Sequence, residues 1–236
     1  MSQVYVTAME NAKQIMLAQA VNANNLANVG TDGFRAELSY LMETEEGRQT
    51  FSSPDLSSGF VRSTGRNLDI AVKGAGWIAV QGFDGTEAYS RRGDLQVDAF
   101  GQMTDGAGRS VLGNSGPIAL PPFSNLEIGA DGTISIQPMG QTANTLAVVD
   151  RIKLVEVESE QLYRSEDGLM RMPEGGIAPA SASVQVIAGS LEGSNVNAVE
   201  EMVKMIDLAR RFEAQIQVMR SEDQNNAALA ELMSWN

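Results

Sequence analysis

Gly74-Ala75-Gly76 follows a run that reads as a strand, the place where a dinucleotide-binding loop would begin its turn under a pyrophosphate. Position 79 carries no third glycine, and Trp77-Ile78-Ala79-Val80 reads as another strand instead of the opening of a helix. The fragment is expected to be a turn. Asp98, Asp105 and Asp131 offer carboxylates, yet none lies in the alternating ligand run closed by a glutamate that a calcium loop needs, and each is expected to shape a hairpin turn. The chain has no His and no Cys, so the common general base, the thiol nucleophile and the zinc ligands are missing. A Ser-Lys dyad or an Asp-Glu pair is what remains. Lys153 has Glu156 and Glu158 close by in sequence, but strand alternation groups it with Val155 and Val157 and predicts a solvated charged row. No set supplies nucleophile, base and electrophilic site together, so no catalytic residue, cofactor or metal ligand is assigned and an enzyme is not expected.

The elements at the two ends carry more information. From Asn197 towards Asn236 the residues Met202, Met205, Ala209, Phe212, Ile216 and Met219 alternate in steps of three and four, a heptad seam. Asn197 and Glu200 are spaced as a capping box that starts this helix. Asp223 and Asn226 interrupt the seam before Ala230 and Met233 resume it, so the helix needs a partner. The other end supplies one: Thr7 and Glu10 form a second capping box, Ala8, Ala12, Ile15, Asn22 and Leu26 share a stripe, and Gly30 and Gly33 close the helix. Glu10 and Lys13 are the only charged side chains between Met1 and Gly30. A face rich in Ala, Asn and Gln suits close packing among several neighbours, with amides hydrogen-bonding between chains. At 1.5 Å per residue, Asn195 to Met233 spans about 58 Å and Thr7 to Asn28 about 33 Å, so the C-terminal helix overhangs its partner. Arg210, Arg211 and Arg220 make either intrahelical pairs with Asp207 and Glu213 or lateral salt bridges between subunits, and the second is slightly favoured.

Between the ends, Arg35 to Arg66 contains Gly47, Pro54, Gly59, Gly65 and a Ser-rich middle, and reads as a joint with little regular structure. From Leu68 the pattern changes. Leu68, Ile70 and Val72 alternate, Trp77 to Val80 is an apolar run, and turn dipeptides follow at Asp84-Gly85, Gly93-Asp94, Asp105-Gly106, Asp131-Gly132 and Asp167-Gly168. The middle is an antiparallel β domain running to about Ile187, with Pro117, Pro121 and Pro122 at strand ends or edges. With 236 residues, 43% of them hydrophobic, the chain can bury a real core. A net charge of -13 argues against a nucleic-acid partner. The N-terminus has no basic region followed by a long apolar run and no window is apolar enough to span a bilayer, so neither Sec-type secretion nor membrane embedding is expected.

Ala23-Asn24-Asn25-Leu26-Ala27-Asn28 with Thr31, Gly33 and Phe34, together with Gly189-Ser190-Leu191-Glu192-Gly193-Ser194-Asn195-Val196, resembles the paired terminal motifs of bacterial flagellar axial proteins, the rod and hook group. Thr64-Gly65, Asn67-Leu68-Asp69, Gly76-Trp77, Tyr89-Ser90-Arg91, Gly93-Asp94, Val111-Leu112-Gly113 and Asp131-Gly132-Thr133-Ile134 extend the resemblance over nearly the whole chain. Arg151 to Val155, with Asp167-Gly168-Leu169 behind it, is similar to the proximal-rod branch; a distal-rod or hook-family protein is the nearest alternative and a periplasmic glycan-binding β module a more distant one. Asp98-Ala99-Phe100 and Asp32 stand where the family commonly carries other turn residues.

The expectation is an α+β protein. Residues 1–30 and 189–236 form an α-helical coiled-coil axial domain, 31–67 an irregular joint, and 68–188 a central antiparallel β domain. The resemblance implies a structural subunit of the proximal rod, assembling helically with copies of itself and other rod proteins into the shaft that transmits torque across the periplasm. It also implies exit through the flagellar export apparatus without a cleaved signal. The candidate assembly interface is Ile15, Asn22, Asn24, Asn25, Leu26, Ala27 and Asn28 at one end, and Leu191, Glu192, Ser194, Asn195, Val196, Met202, Met205, Ile206, Ala209, Phe212, Ile216 and Met219 at the other.

Overall fold

A computed structural model of the chain describes residues 3–44, 47–140, 146–158 and 161–234. It is an α+β protein dividing into two units: Met1–Val29, Glu37–Ser53 and Val196–Asn236 make a helical unit, and Gly30–Ala36 with Pro54–Asn195 make a β unit.

The helical unit contains α1 (Gln3–Ala27), the paired strands β1 (Glu37–Thr44) and β2 (Gly47–Pro54), and α2 (Ala198–Ser234). Asn197 caps α2 as its spacing predicts, its Oδ1 accepting from the amides of Val199 and Glu200 at 3.1 and 3.4 Å. Glu200 does not complete a box; it pairs with Lys204 at 3.1 Å. Thr7 is no cap at all. α1 starts at Gln3, and the Thr7 hydroxyl donates to the Gln3 carbonyl at 3.0 Å, the back-bond that a threonine inside a helix makes.

α1 packs along α2, and the stripe on α1 holds: Ala8, Ala12 and Asn22 are buried, Ile15 and Leu26 half-buried. The seam on α2 is rotated from expectation. Its least exposed residues are Glu201, Met205, Leu208, Phe212, Gln215, Met219 and Glu222, a regular alternation of four and three. Ile216 flanks them half-buried, whereas Met202, Ile206 and Ala209 face outward, as do Asp223 and Asn226, which therefore interrupt nothing. The side chains of Ala230 and Met233 lie outside the described residues. Residues 31–67 are not an irregular joint, for Gly47 and Pro54 bound a strand instead of breaking one. Two forces hold that hairpin: the Tyr40 and Phe51 rings stack at 6.2 Å, and amides of α1 anchor both strands.

The β unit runs through β3 (Val61–Ser63), β4 (Ile70–Lys73), β5 (Trp77–Gln81), β6 (Glu87–Ser90), β7 (Gln96–Val97), β8 (Met103–Thr104), β9 (Leu112–Gly113), β10 (Gly116–Pro117), β11 (Phe123–Ile128), β12 (Thr133–Pro138), β13 (Ala147–Arg151), β14 (Leu154–Val155), β15 (Tyr163–Arg164), β16 (Met170–Arg171), β17 (Gln185–Ala188) and β18 (Ser190–Glu192). β14-β5-β6-β16-β15 form a five-stranded sheet, β11-β12-β13 a three-stranded one, and β4 pairs with β17 and β3 with β18; the described pairings are antiparallel.

β5 is buried on both faces. Ile78 and Val80 enter a large aliphatic core with Ile70, Leu95, Met103, Ile118, Ile134 and Leu154, while Trp77 and Ala79 enter a smaller one with Tyr89, Val155 and Met170. An unbroken apolar run is what such a strand needs. Lys153 does not stand in a solvated row: Val155 beside it is fully buried, and its Nζ reaches both carboxylate oxygens of Glu87 at 2.7 and 2.8 Å.

The turn aspartates act as expected. Asp98 accepts from the amides of Phe100 and Gln102 at 2.8 Å each, and Asp131 from the amide and hydroxyl of Thr133. Those Thr133 bonds, the hydroxyl's first, hold the Asp131 carboxyl below its ordinary value. Gly93 departs from the turn reading: its φ is not positive, and a Cβ there would lie 1.7 Å from the Ile70 carbonyl oxygen, so the glycine permits strand contact.

Candidate functional site

The helical unit draws the amides of α1 into intramolecular use. Asn25 clasps the start of β1 from both sides, its Nδ2 donating to the Glu37 carbonyl and its Oδ1 accepting from the Glu37 amide, each at 2.8 Å. Gln14 does the same for β2 by accepting from the Thr50 amide at 2.8 Å. Asn22 donates to the carboxylate of Glu201 at 2.5 Å, and Asn25 approaches the same oxygen at 3.5 Å. Glu201 is buried and takes Lys204 as counter-ion at 2.9 Å. A cavity of about 340 Å³ lies beside this packing, lined by Ile15, Ala18, Tyr40, Leu208 and Ala214 among others.

The predicted interface residues therefore divide. Asn22 and Asn25 are buried inside the helical unit, and Leu26, Asn28, Met205, Phe212, Ile216 and Met219 are half-buried there with Ile15 and Val196. Asn24, Ala27, Met202, Ile206 and Ala209 are exposed. Val199 and Val203, which sequence reasoning passed over, join Met202 and Ile206 in an outward apolar stripe, all more than half exposed. Arg211 makes the intrahelical pair with Asp207, at 2.8 Å.

The Gly189-to-Asn195 motif belongs to the β unit, where β18 pairs with β3, Leu191 opposite Arg62. Ser190, Leu191, Glu192 and Ser194 are buried. Glu192 is the hub: Oε1 accepts from Arg35 Nη2 at 2.7 Å and Gly59 N at 2.9 Å, Oε2 from Arg91 Nη1 at 3.1 Å, and its carbonyl from Gly33 N at 2.7 Å. Arg91 also donates to the Gly74 carbonyl at 2.6 Å and lies over the Trp77 ring at 5.3 Å. Burial, the largest influence, lowers the Arg91 pKa, Glu192 opposes this, and Arg35 reinforces it. Gly33 is required beside the hub: its φ is +71°, and a Cβ would sit 2.4 Å from the Arg91 backbone carbon.

A second charged knot holds the adjoining turn. Asp69 accepts from Thr64 Oγ1 at 2.6 Å and Arg66 Nε at 2.8 Å, while Asp32 pairs with Arg62 at 2.9 Å. Asn195, half-buried, bonds through both edges of its amide to the segments around Ala36 and Asp55. Arg35, Arg66, Asp69 and Glu201 were not singled out as site residues. One signal for the hub was present: a lone acid in the short buried strand Ser190–Glu192 demands a buried cation. Among the described residues no group of three or more His, Cys, Asp or Glu is placed to hold a metal ion, and no helix is long and apolar enough to cross a membrane.

The arrangement is one of packing faces and internal knots, and the comparisons with known proteins agree with that character. Residues 71–136 match the flagellar hook protein FlgE/F/G D1 domain, and residues 187–232 the flagellar basal body rod FlgEFG protein C-terminal domain. Over the full length of both chains the sequence is 43% identical to the flagellar basal-body rod protein FlgF of Escherichia coli K12 and 42% to that of Salmonella typhimurium LT2. A flagellar basal-body rod protein FlgG, from Buchnera aphidicola subsp. Schizaphis graminum, is 30% identical over 91% of the chain and 95% of its own. The chain belongs to the flagellar basal-body rod protein FlgF family and is a structural component of the bacterial flagellar basal-body rod.

Proposed function

We propose that this subunit sits in the proximal rod and assembles helically, through copies of itself and other rod proteins, into the shaft that carries torque across the periplasm. The functional division is an axial domain built from the terminal helices, with the hairpin Glu37–Pro54 joined to them, and a β domain that braces neighbours. In the assembled shaft α1 and α2 act as a coiled coil whose outward faces meet helices of adjacent subunits. The observation that carries this reading is the stripe Val199, Met202, Val203 and Ile206, a contiguous apolar face on α2 turned away from the seam that meets α1. With the half-buried Ile15, Leu26, Met205, Phe212, Ile216 and Met219, it gives the helical unit apolar surface to bury on assembly. Asn24 and Ala27 offer a small polar edge for close approach. Heterologous contacts of this kind, repeated without closure, generate a helical array. The subunit reaches the rod through the flagellar export apparatus.

The test uses cells whose only copy carries Leu26→Asp or Ile216→Asp. The β unit stays folded, the variant is absent from purified basal bodies, and motility is lost. Normal motility with either variant would remove the helical faces from the assembly. Electron cryomicroscopy of basal bodies then reads the chain's level in the rod.

A further inference from the structure

Asn195 closes a ring of hydrogen bonds in the β unit. Its Oδ1 accepts from Ala36 N at 2.6 Å, its Nδ2 donates to Asp55 O at 3.0 Å, and Asp55 N donates to Ala36 O at 2.7 Å. The same Nδ2 lies 3.1 Å from the Ser57 carbonyl and 3.2 Å from its hydroxyl, while Asn195 N donates to Phe34 O at 3.4 Å.

The position of this ring in the chain gives it meaning. The backbone passes from one unit to the other after Val29, Ala36, Ser53 and Asn195. Three of those four passages begin at a ring residue or within two residues of one. The ring needs a primary amide, because one short side chain must accept from one segment and donate to another at once. A carboxylate has no proton to give Asp55 or Ser57, and a hydroxyl is too short to span both segments. Glu192, three residues earlier, repeats the grip on Arg35 and Gly59 of the same two segments.

We infer that Asn195 is a positioning residue that makes these three passages act as one body, so that force arriving along α2 is shared among three segments instead of falling on a single chain. The inference rests on the rod reading above, since only a subunit under load has use for such sharing.

Two variants of the full chain test it, Asn195→Ala and Asn195→Asp. In the purified Ala variant, amide exchange at Ala36 and Asp55 rises about tenfold or more while β5 and β6 keep their protection. The Asp variant retains an acceptor, so Ala36 stays protected and Asp55 alone is loosened. In cells, both variants enter basal bodies at normal levels and swim normally in dilute medium, then lose speed against the unmodified strain as viscosity rises. Unchanged exchange at Ala36 and Asp55 in the Ala variant overturns the inference, and so does undiminished speed in viscous medium despite faster exchange. Loss of β5 and β6 protection in both variants also overturns it, because the ring would then belong to the fold of the β unit itself. Failure of the rod reading looks different: the unmodified chain would be missing from basal bodies, and cells lacking it would swim.

Discussion

The β unit and the helical unit bury different things. The β unit encloses Ile70, Ile78, Leu95, Met103, Ile118, Ile134 and Leu154 almost completely, and seats the buried Glu192 between two arginines. The buried positions of α1 are Ala8, Ala12, Asn22 and Asn25, and that of α2 is Glu201 among the described side chains, while Val4, Met9, Met16 and Leu17 stand out in solvent. The β unit completes an aliphatic core, although Phe60, Phe83 and Phe100 stand outside it. Among its described residues the helical unit buries no apolar side chain larger than alanine, which leaves its larger apolar groups to be covered on assembly.

The sharpest way to break this comparison is to remove one buried acid from each unit, Glu192 from one and Glu201 from the other. Glu192→Ala leaves two guanidinium groups buried without a counter-ion, and lowers the stability of the β unit by about 3–5 kcal/mol. Glu201→Ala leaves two amide donors and a Lys204 that solvent can reach, at a cost of about 1–3 kcal/mol. Urea unfolding, followed by amide exchange in β5 and in α1, measures both; equal losses would erase the distinction between the units.

A smaller effect comes from Tyr89, which is fully buried, accepts from the Ala178 amide at 2.7 Å and lies 3.2 Å from Glu87. Burial, the largest influence, pushes its hydroxyl up to about 12; the Ala178 bond opposes this and the charge of Glu87 adds to it. A phenol that ionises near 10 when unfolded and higher when folded contributes stability in full below about pH 10. That contribution, about 2–3 kcal/mol, is lost as pH rises from 10 towards 12. Tyr89→Phe costs about 1–3 kcal/mol at neutral pH by stranding the Ala178 amide, and it flattens the alkaline decline of the β unit. Denaturant titrations at pH 7, 10 and 11.5 read both.

The smallest expected effect on the isolated chain belongs to the outward stripe. Met202→Ser with Val203→Ser changes stability by no more than about 0.5 kcal/mol, as for other exposed positions. Incorporation into basal bodies falls nonetheless. A large loss of stability in the free subunit would mean that the stripe is already packed within it.

Much of this was legible because the signals are local. Asn197 before an apolar-periodic run marks the start of α2, and Asp131-Gly132 between Ile128 and Ile134 marks a hairpin. The α2 seam was misread because the helix carries two stripes. Periodicity ranks Met202 and Met205 equally, and the inner stripe includes Glu201, Gln215 and Glu222, polar residues that a search for apolar seams rejects. The partners of the hub were hidden for another reason: the lone acid of Ser190–Glu192 calls for a cation, but Glu192 meets Arg91 across 101 residues and Arg35 across 157, and no local pattern encodes such a meeting.

That span also governs when the protein can finish folding. A ribosome must make nearly the whole polypeptide before Arg35 can find Glu192, and loop closure over such a distance slows the search. Until then the leading residues lack that anchor, so the β unit reaches its final form only once most of the chain's length exists.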